Sequence, residues 1–154
     1  METVQELFDN AYSLSIVEEK HDEAIALCSK ALKIEPRNYR VKVFLGMLLG
    51  DHAQNGLEEA RCLFKEAFLQ SRSSSEVCSG WPEEAVLYHL GICEQKTGRV
   101  GNAQLLFLLQ YLASGSNLSR SQLFNSLEEE DSSFAKEFEE ILDKTVNFCF
   151  GELD

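Results

Sequence analysis

The chain has 154 residues, 44% hydrophobic and 26% charged, with 14 Lys and Arg against 26 Asp and Glu for a net charge of −12. This is too apolar for a disordered chain, and without a basic cluster it excludes nucleic-acid binding, which needs Lys and Arg gathered against phosphate. The longest apolar run, Leu105-Leu106-Phe107-Leu108-Leu109, falls far short of the roughly 20 residues of a membrane span.

The hydrophobic pattern is helical almost throughout, and two prolines with no sustained period-two alternation leave little room for strands. A first helix is predicted over about 3–18, with Val4, Leu7, Ala11 and Leu14 on one face and Glu2 and Glu6 at the positive end of its dipole. A second covers about 22–34, started by Asp22 as cap and ended by Pro36, with Ala24, Leu27, Cys28, Ala31 and Leu32 repeating at three and four. A third is read over about 37–50. The fourth, about 56–70, carries Ala60, Leu63, Phe64, Ala67 and Phe68 on one face. Residues 71–82 read as a polar, small-residue linker. Pro82 suits the first turn of a fifth helix, about 82–97, stopped by Thr97-Gly98, and a sixth covers about 100–113. A short helix near 119–128 and a long amphipathic one over about 132–149 complete the reading.

Within this series a spacing recurs. Ala24, Cys28, Ala31 and Pro36 stand at relative positions 0, 4, 7 and 12; Ala60, Phe64 and Ala67 repeat 0, 4, 7; Ala103 and Phe107 repeat 0, 4. Gly46 stands fourteen residues before Ala60, and Tyr12 and Gly91 twelve before Ala24 and Ala103. The stretches Leu45-Gly46 with Glu59-Ala60-Arg61 and Phe64-Lys65-Glu66-Ala67, Leu87 with Leu90-Gly91, and Asp22-Glu23-Ala24 with Lys30-Ala31-Leu32 and Ile34-Glu35-Pro36 resemble the tetratricopeptide repeat (TPR), an antiparallel helix pair of roughly 34 residues. The small residue lets the helices of a pair approach closely, and the later alanine admits the next pair. The resemblance implies an all-α, TPR-like solenoid of three helix pairs, about 5–36, 39–72 and 82–115, with a C-terminal capping helix in an acidic extension, 116–154. Tyr12 departs from the pattern by replacing the small residue of the first pair.

Catalytic chemistry is not legible. His21 and His52 fall in predicted turns and His89 in a helix, without metalloprotease spacing, and no phosphate-binding glycine motif occurs. Acidic pairs Glu58-Glu59 and Glu83-Glu84 sit in helix first turns, where the dipole explains them. The five cysteines, Cys28, Cys62, Cys78, Cys93 and Cys149, form no CxxC pair, so neither a zinc knuckle nor a disulfide framework is expected. Cys78 is the one expected at the surface. Asn117-Leu118-Ser119 is a glycosylation acceptor only in a secreted protein. The start, Met1-Glu2-Thr3-Val4, has no signal-peptide character. The expectation is a cytoplasmic protein that is not an enzyme and holds no cofactor or metal.

The TPR resemblance implies a concave face lined from the first helix of each pair: Glu6, Asp9, Ser13 and Ile16; Arg40, Val43, Met47 and Gly50; Ala85, Tyr88, Ile92 and Gln95. Asp9, Ser13 and Phe44 stand where the version that clamps the acidic tail of heat-shock chaperones needs Lys and Asn, so clamp binding is not expected. What remains is an apolar centre, Val43, Met47, Tyr88 and Ile92, with an acidic entrance at Glu6 and Asp9. Such a groove suits an amphipathic helix or apolar peptide, with or without basic residues, from a specific partner. The expected function is an adaptor or chaperone. Its small, acidic, short-repeat character is similar to that of type III secretion chaperones. The alternative is a permanent subunit of a larger complex, and self-association is open to either.

Overall fold

The computed structural model describes residues 1–73 and 83–114. Among them are six helices: α1 (Val4–Ile16), α2 (His21–Ile34), α3 (Tyr39–His52), α4 (Leu57–Ser73), α5 (Glu83–Lys96) and α6 (Val100–Ser114). The expected short helix near 119–128, the long helix over 132–149 and its capping role, Pro82, Cys78, Cys149 and the Asn117 acceptor lie outside the described residues. The chain divides into two compact units, residues 1–86 and 87–154.

Local chemistry sets the boundaries. Thr3 caps α1 reciprocally: its Oγ1 accepts from the Glu6 N–H at 3.2 Å, and its own N–H donates to Glu6 Oε2 at 2.8 Å. The chain turns after α1 through Glu19, at a left-handed φ of 55°. Asp22 does not cap α2 as expected. Lys20 occupies the N-cap without a side-chain bond, and Asp22 and Glu23 lie inside the first turn, where their charge meets the dipole. Asn38 caps α3, its Oδ1 accepting from the Val41 N–H at 3.1 Å, which places the start two residues later than the pattern indicates. The first three residues of the expected 71–82 linker continue α4. Between α5 and α6, Gly98 adopts φ +80°, a conformation glycine takes without steric cost.

In the first unit α1 packs on α2, α2 on α3, and α3 on α4. The α3–α4 crossing is closed by Gly46: a Cβ built there would lie 2.9 Å from the ring of the buried Phe64. The α5–α6 pair repeats the device, with a Cβ on Gly91 falling 2.6 Å from the Phe107 ring. The first pair closes differently from the expectation. Tyr12 is exposed, whereas Ala11 and Cys28 are fully buried, so the small residue of this crossing is Ala11. Ala11 precedes Ala24 by thirteen residues, against fourteen and twelve for Gly46 and Gly91. Two differences set the offset: the connection is four residues after α1 and α3 but three after α5, and α3 runs six residues past Gly46 where α1 runs five past Ala11.

Phe8 joins Val4, Leu7 and Ala11 in the core, and each fully buried large apolar side chain contributes roughly 1.5–3 kcal/mol. A polar seam runs between α3 and α4. The buried Lys42 pairs with Glu66 at 3.0 Å, and Gln70 Nε2 donates to the Arg37 carbonyl at 2.6 Å. Glu2 and Lys30 form an ion pair that ties the chain start to α2. Cys62 is exposed, contrary to the apolar role expected from its helical position, while Cys28 and Cys93 are buried.

Candidate protein-binding surface

In the first unit the candidate residues come from α1 and α3. Glu6 and Asp9 line one open recess of about 560 Å³ with Met1, Glu2 and Asn10. The Thr3 backbone N–H, and after it the Thr3 hydroxyl, hold the Glu6 carboxyl below its ordinary value, so this end of α1 stays negative. Asp9 accepts from Gln5 Nε2 at 2.8 Å. One to two turns further along the same helix the surface becomes apolar. Tyr12 is 45% exposed, Ile16 59% and the adjoining Val17 76%, with Ser13 exposed among them.

This stripe is seated on α3 by aromatic contacts. Phe8 meets Phe44 edge-on at 5.4 Å, and Tyr12 meets Phe44 at 5.5 Å. The exposed Arg40 lays its guanidinium 4.3 Å from the Phe8 ring centroid, a cation–π contact that fixes the side chain over the aromatic cluster. Met47 is half-buried. Val43 differs from the expectation: it is fully buried and belongs to the core rather than to an open surface. The cause is that α3 buries residues around its whole circumference, so the inward and outward faces of a single-sided helix do not apply to it.

Tyr88, Ile92 and Gln95 lie on α5 and are half-buried. Tyr88 and Ile92, four residues apart, pack on the buried cluster of Ala103, Phe107 and Leu108, with the Tyr88 and Phe107 rings 5.9 Å apart. Their burial is therefore partly spent on their own helix pair.

Two features went unread in the sequence. Phe8 and Tyr12 stand four apart, a spacing that places them together on a helix, and that signal was available. The second had no signal: His21 and His52, thirty-one positions apart, stack with centroids 3.6 Å apart and planes 6° from parallel. They occupy the first residue of α2 and the last of α3, not turns. Among the described residues no group of three or more His, Cys, Asp or Glu side chains is placed to hold a metal ion, and no helix is long and apolar enough to cross a membrane. The chain is an all-α protein whose helices pack sequentially in pairs, and no protein-family model and no curated protein matches it.

Proposed function

We propose that the chain is a small cytoplasmic TPR-like adaptor or chaperone that binds an amphipathic helix or apolar peptide segment of a specific protein. The observation that carries this reading is the α1 stripe: exposed apolar side chains at Tyr12, Ile16 and Val17, continued by the carboxylates of Asp9 and Glu6. Exposed apolar groups next to an acidic rim suit a partner segment with apolar anchors and a basic end. Arg40 and Met47 on α3 extend the proposed contact set within the first unit, with Val43 supporting it from the core; Tyr88, Ile92 and Gln95 on α5 are proposed as contacts of the second unit. The paired helices and the glycine–phenylalanine crossings favour the repeat assignment. The narrower likeness to type III secretion chaperones rests on size and acidity alone. The reading assigns the protein no catalytic role.

The test is purification of the tagged chain from its source cells, with mass spectrometry of what accompanies it, in wild-type, Met47→Asp, Tyr88→Asp and Ile16→Asp forms. One small partner at near-equal amount, lost from variants that keep their helicity, is the expected result. Several large partners retained by all folded variants would overturn the groove and favour a permanent subunit.

A further inference from the structure

We infer that the exposed stripe of α1 receives a helix of the partner that runs antiparallel to α1 and carries its apolar residues ahead of its basic ones. The inference rests on the adaptor reading above and adds to it the shape, direction and charge order of the bound segment. Glu6, Asp9, Ser13 and Ile16 recur at three and four along α1, all exposed, with Tyr12 beside them and Val17 just past the helix end. At ~1.5 Å per residue, Asp9 lies roughly 10 Å and Glu6 roughly 15 Å before Ile16 along the axis. The two ends of this stripe differ in charge. Glu6 bonds to Thr3 and Asp9 to Gln5, both neutral, and among the described residues no Lys or Arg pairs with either carboxylate. Arg40 of α3 lies over the Phe8 ring instead. The two carboxylates border an open recess of about 560 Å³, room for long basic side chains. At the other end a cation is already in place. Lys20 pairs with Glu18 at 2.7 Å, while Glu19, Asp22 and Glu23 line a separate recess with His21 and His52.

A helix fits this stripe better than an extended segment. α1 satisfies its own backbone, so it offers no edge for strand pairing. An extended chain laid on apolar side chains would leave its own amides unmatched, whereas a helix brings them already bonded. Apolar residues one turn apart on such a helix meet Tyr12, Ile16 and Val17 as ridge against groove. Its basic residues then stand seven to ten positions away, over Asp9 and Glu6. Direction follows from the dipoles. Cations are favoured in the last turn of a helix, and that negative end is attracted to the positive start of α1. Parallel packing would instead bring two positive ends together. Antiparallel packing also continues the alternation from α1 to α4. A second copy of this chain does not supply the charge, because its matching stripe is acidic as well.

The test measures fluorescence anisotropy of two labelled alanine–glutamine helices with the full 154-residue chain. One carries two leucines a turn apart, then lysines seven and ten residues further on; the other reads the same sequence backwards. The first is expected to bind about fivefold more tightly, the worth of two exposed ion pairs. The double variant Glu6→Gln, Asp9→Asn should erase that preference while keeping the α1 cap, since glutamine serves in a capping box. High salt should erase it too, whether or not the variant folds. Ile16→Asp should release both peptides. Equal binding of the two, or a preference that persists without the carboxylates, would overturn the inference; loss of that binding in Ile16→Asp would leave the adaptor reading standing. Binding indifferent to Ile16→Asp would overturn both. Binding of neither peptide, or a dimer of the chain that Ile16→Asp dissolves in sedimentation, would also overturn the inference.

Discussion

At the crossing of α3 and α4 a glycine lies against a phenylalanine ring, whereas α1 and α2, which also pack together, bury an alanine and a cysteine in place of glycine and ring. Both pairs solve the same problem, the close approach of two antiparallel helices. In one the aromatic ring fills the space that glycine opens; in the other the small side chains of Ala11 and Cys28 are fully buried on the two packed helices. The surroundings differ more. α3 buries nine of its residues and α1 five, so α1 keeps an outward face on which apolar side chains remain in water. The comparison separates residues that build the repeat from residues left available to a partner. Crossing residues govern stability, and the α1 stripe governs binding.

The sharpest way to break the first half of that comparison is Phe64→Ala. It should destabilise by ~3–5 kcal/mol in urea unfolding, because a ring held against Gly46 leaves a cavity that the crossing cannot easily collapse. Ala11→Leu should cost ~1–3 kcal/mol by overfilling the first crossing. Tyr12→Ala should cost less, about 1 kcal/mol, through the lost ring contacts with Phe8 and Phe44. The reverse order would return Tyr12 to the crossing.

Thr3→Ala removes the N-terminal cap of α1 and should cost about 1 kcal/mol at neutral pH. The cap also has an acid limit. Since Thr3 holds the Glu6 carboxyl below its ordinary value of 4.5, the contribution is present above that pH and is lost as pH falls through the lowered value. Wild type and Thr3→Ala should therefore converge in stability under acid, as circular dichroism melts would record. The smallest effect is chemical: brief iodoacetamide treatment near pH 8 followed by peptide mapping should label Cys62 and spare Cys28. Burial pushes the Cys28 thiol up to about 12, leaving it protonated as well as covered.

The sequence made much of this architecture readable, for reasons tied to particular residues. Six helices emerge from apolar spacing near 3.6, and Gly46 and Gly91 identify two crossings because only glycine leaves room for the facing ring. The first crossing was misplaced by one residue. A fixed offset of twelve selects Tyr12, but the offset depends on both connection length and how far the first helix runs past its crossing, and burial places Ala11 inside and Tyr12 outside. Val43 occupies a groove position of the repeat pattern, but that pattern presumes one open helix face, and α3 is packed around its circumference. Cys62 illustrates the opposite error, an apolar-looking position left outside the core. The histidine stack depends on where two helix ends meet, a distance that no local spacing encodes.

The division between building and binding residues is tested most directly by site-specific photocrosslinking in the source cells. A benzoylphenylalanine would replace Ser13 or Ile16 on the α1 stripe, and Lys65 or Leu69 at the exposed positions of α4. A discrete adduct from Ser13 and Ile16, with none from Lys65 and Leu69, is the predicted result. Adducts from the α4 positions alone, or from no position in a folded protein, would contradict it.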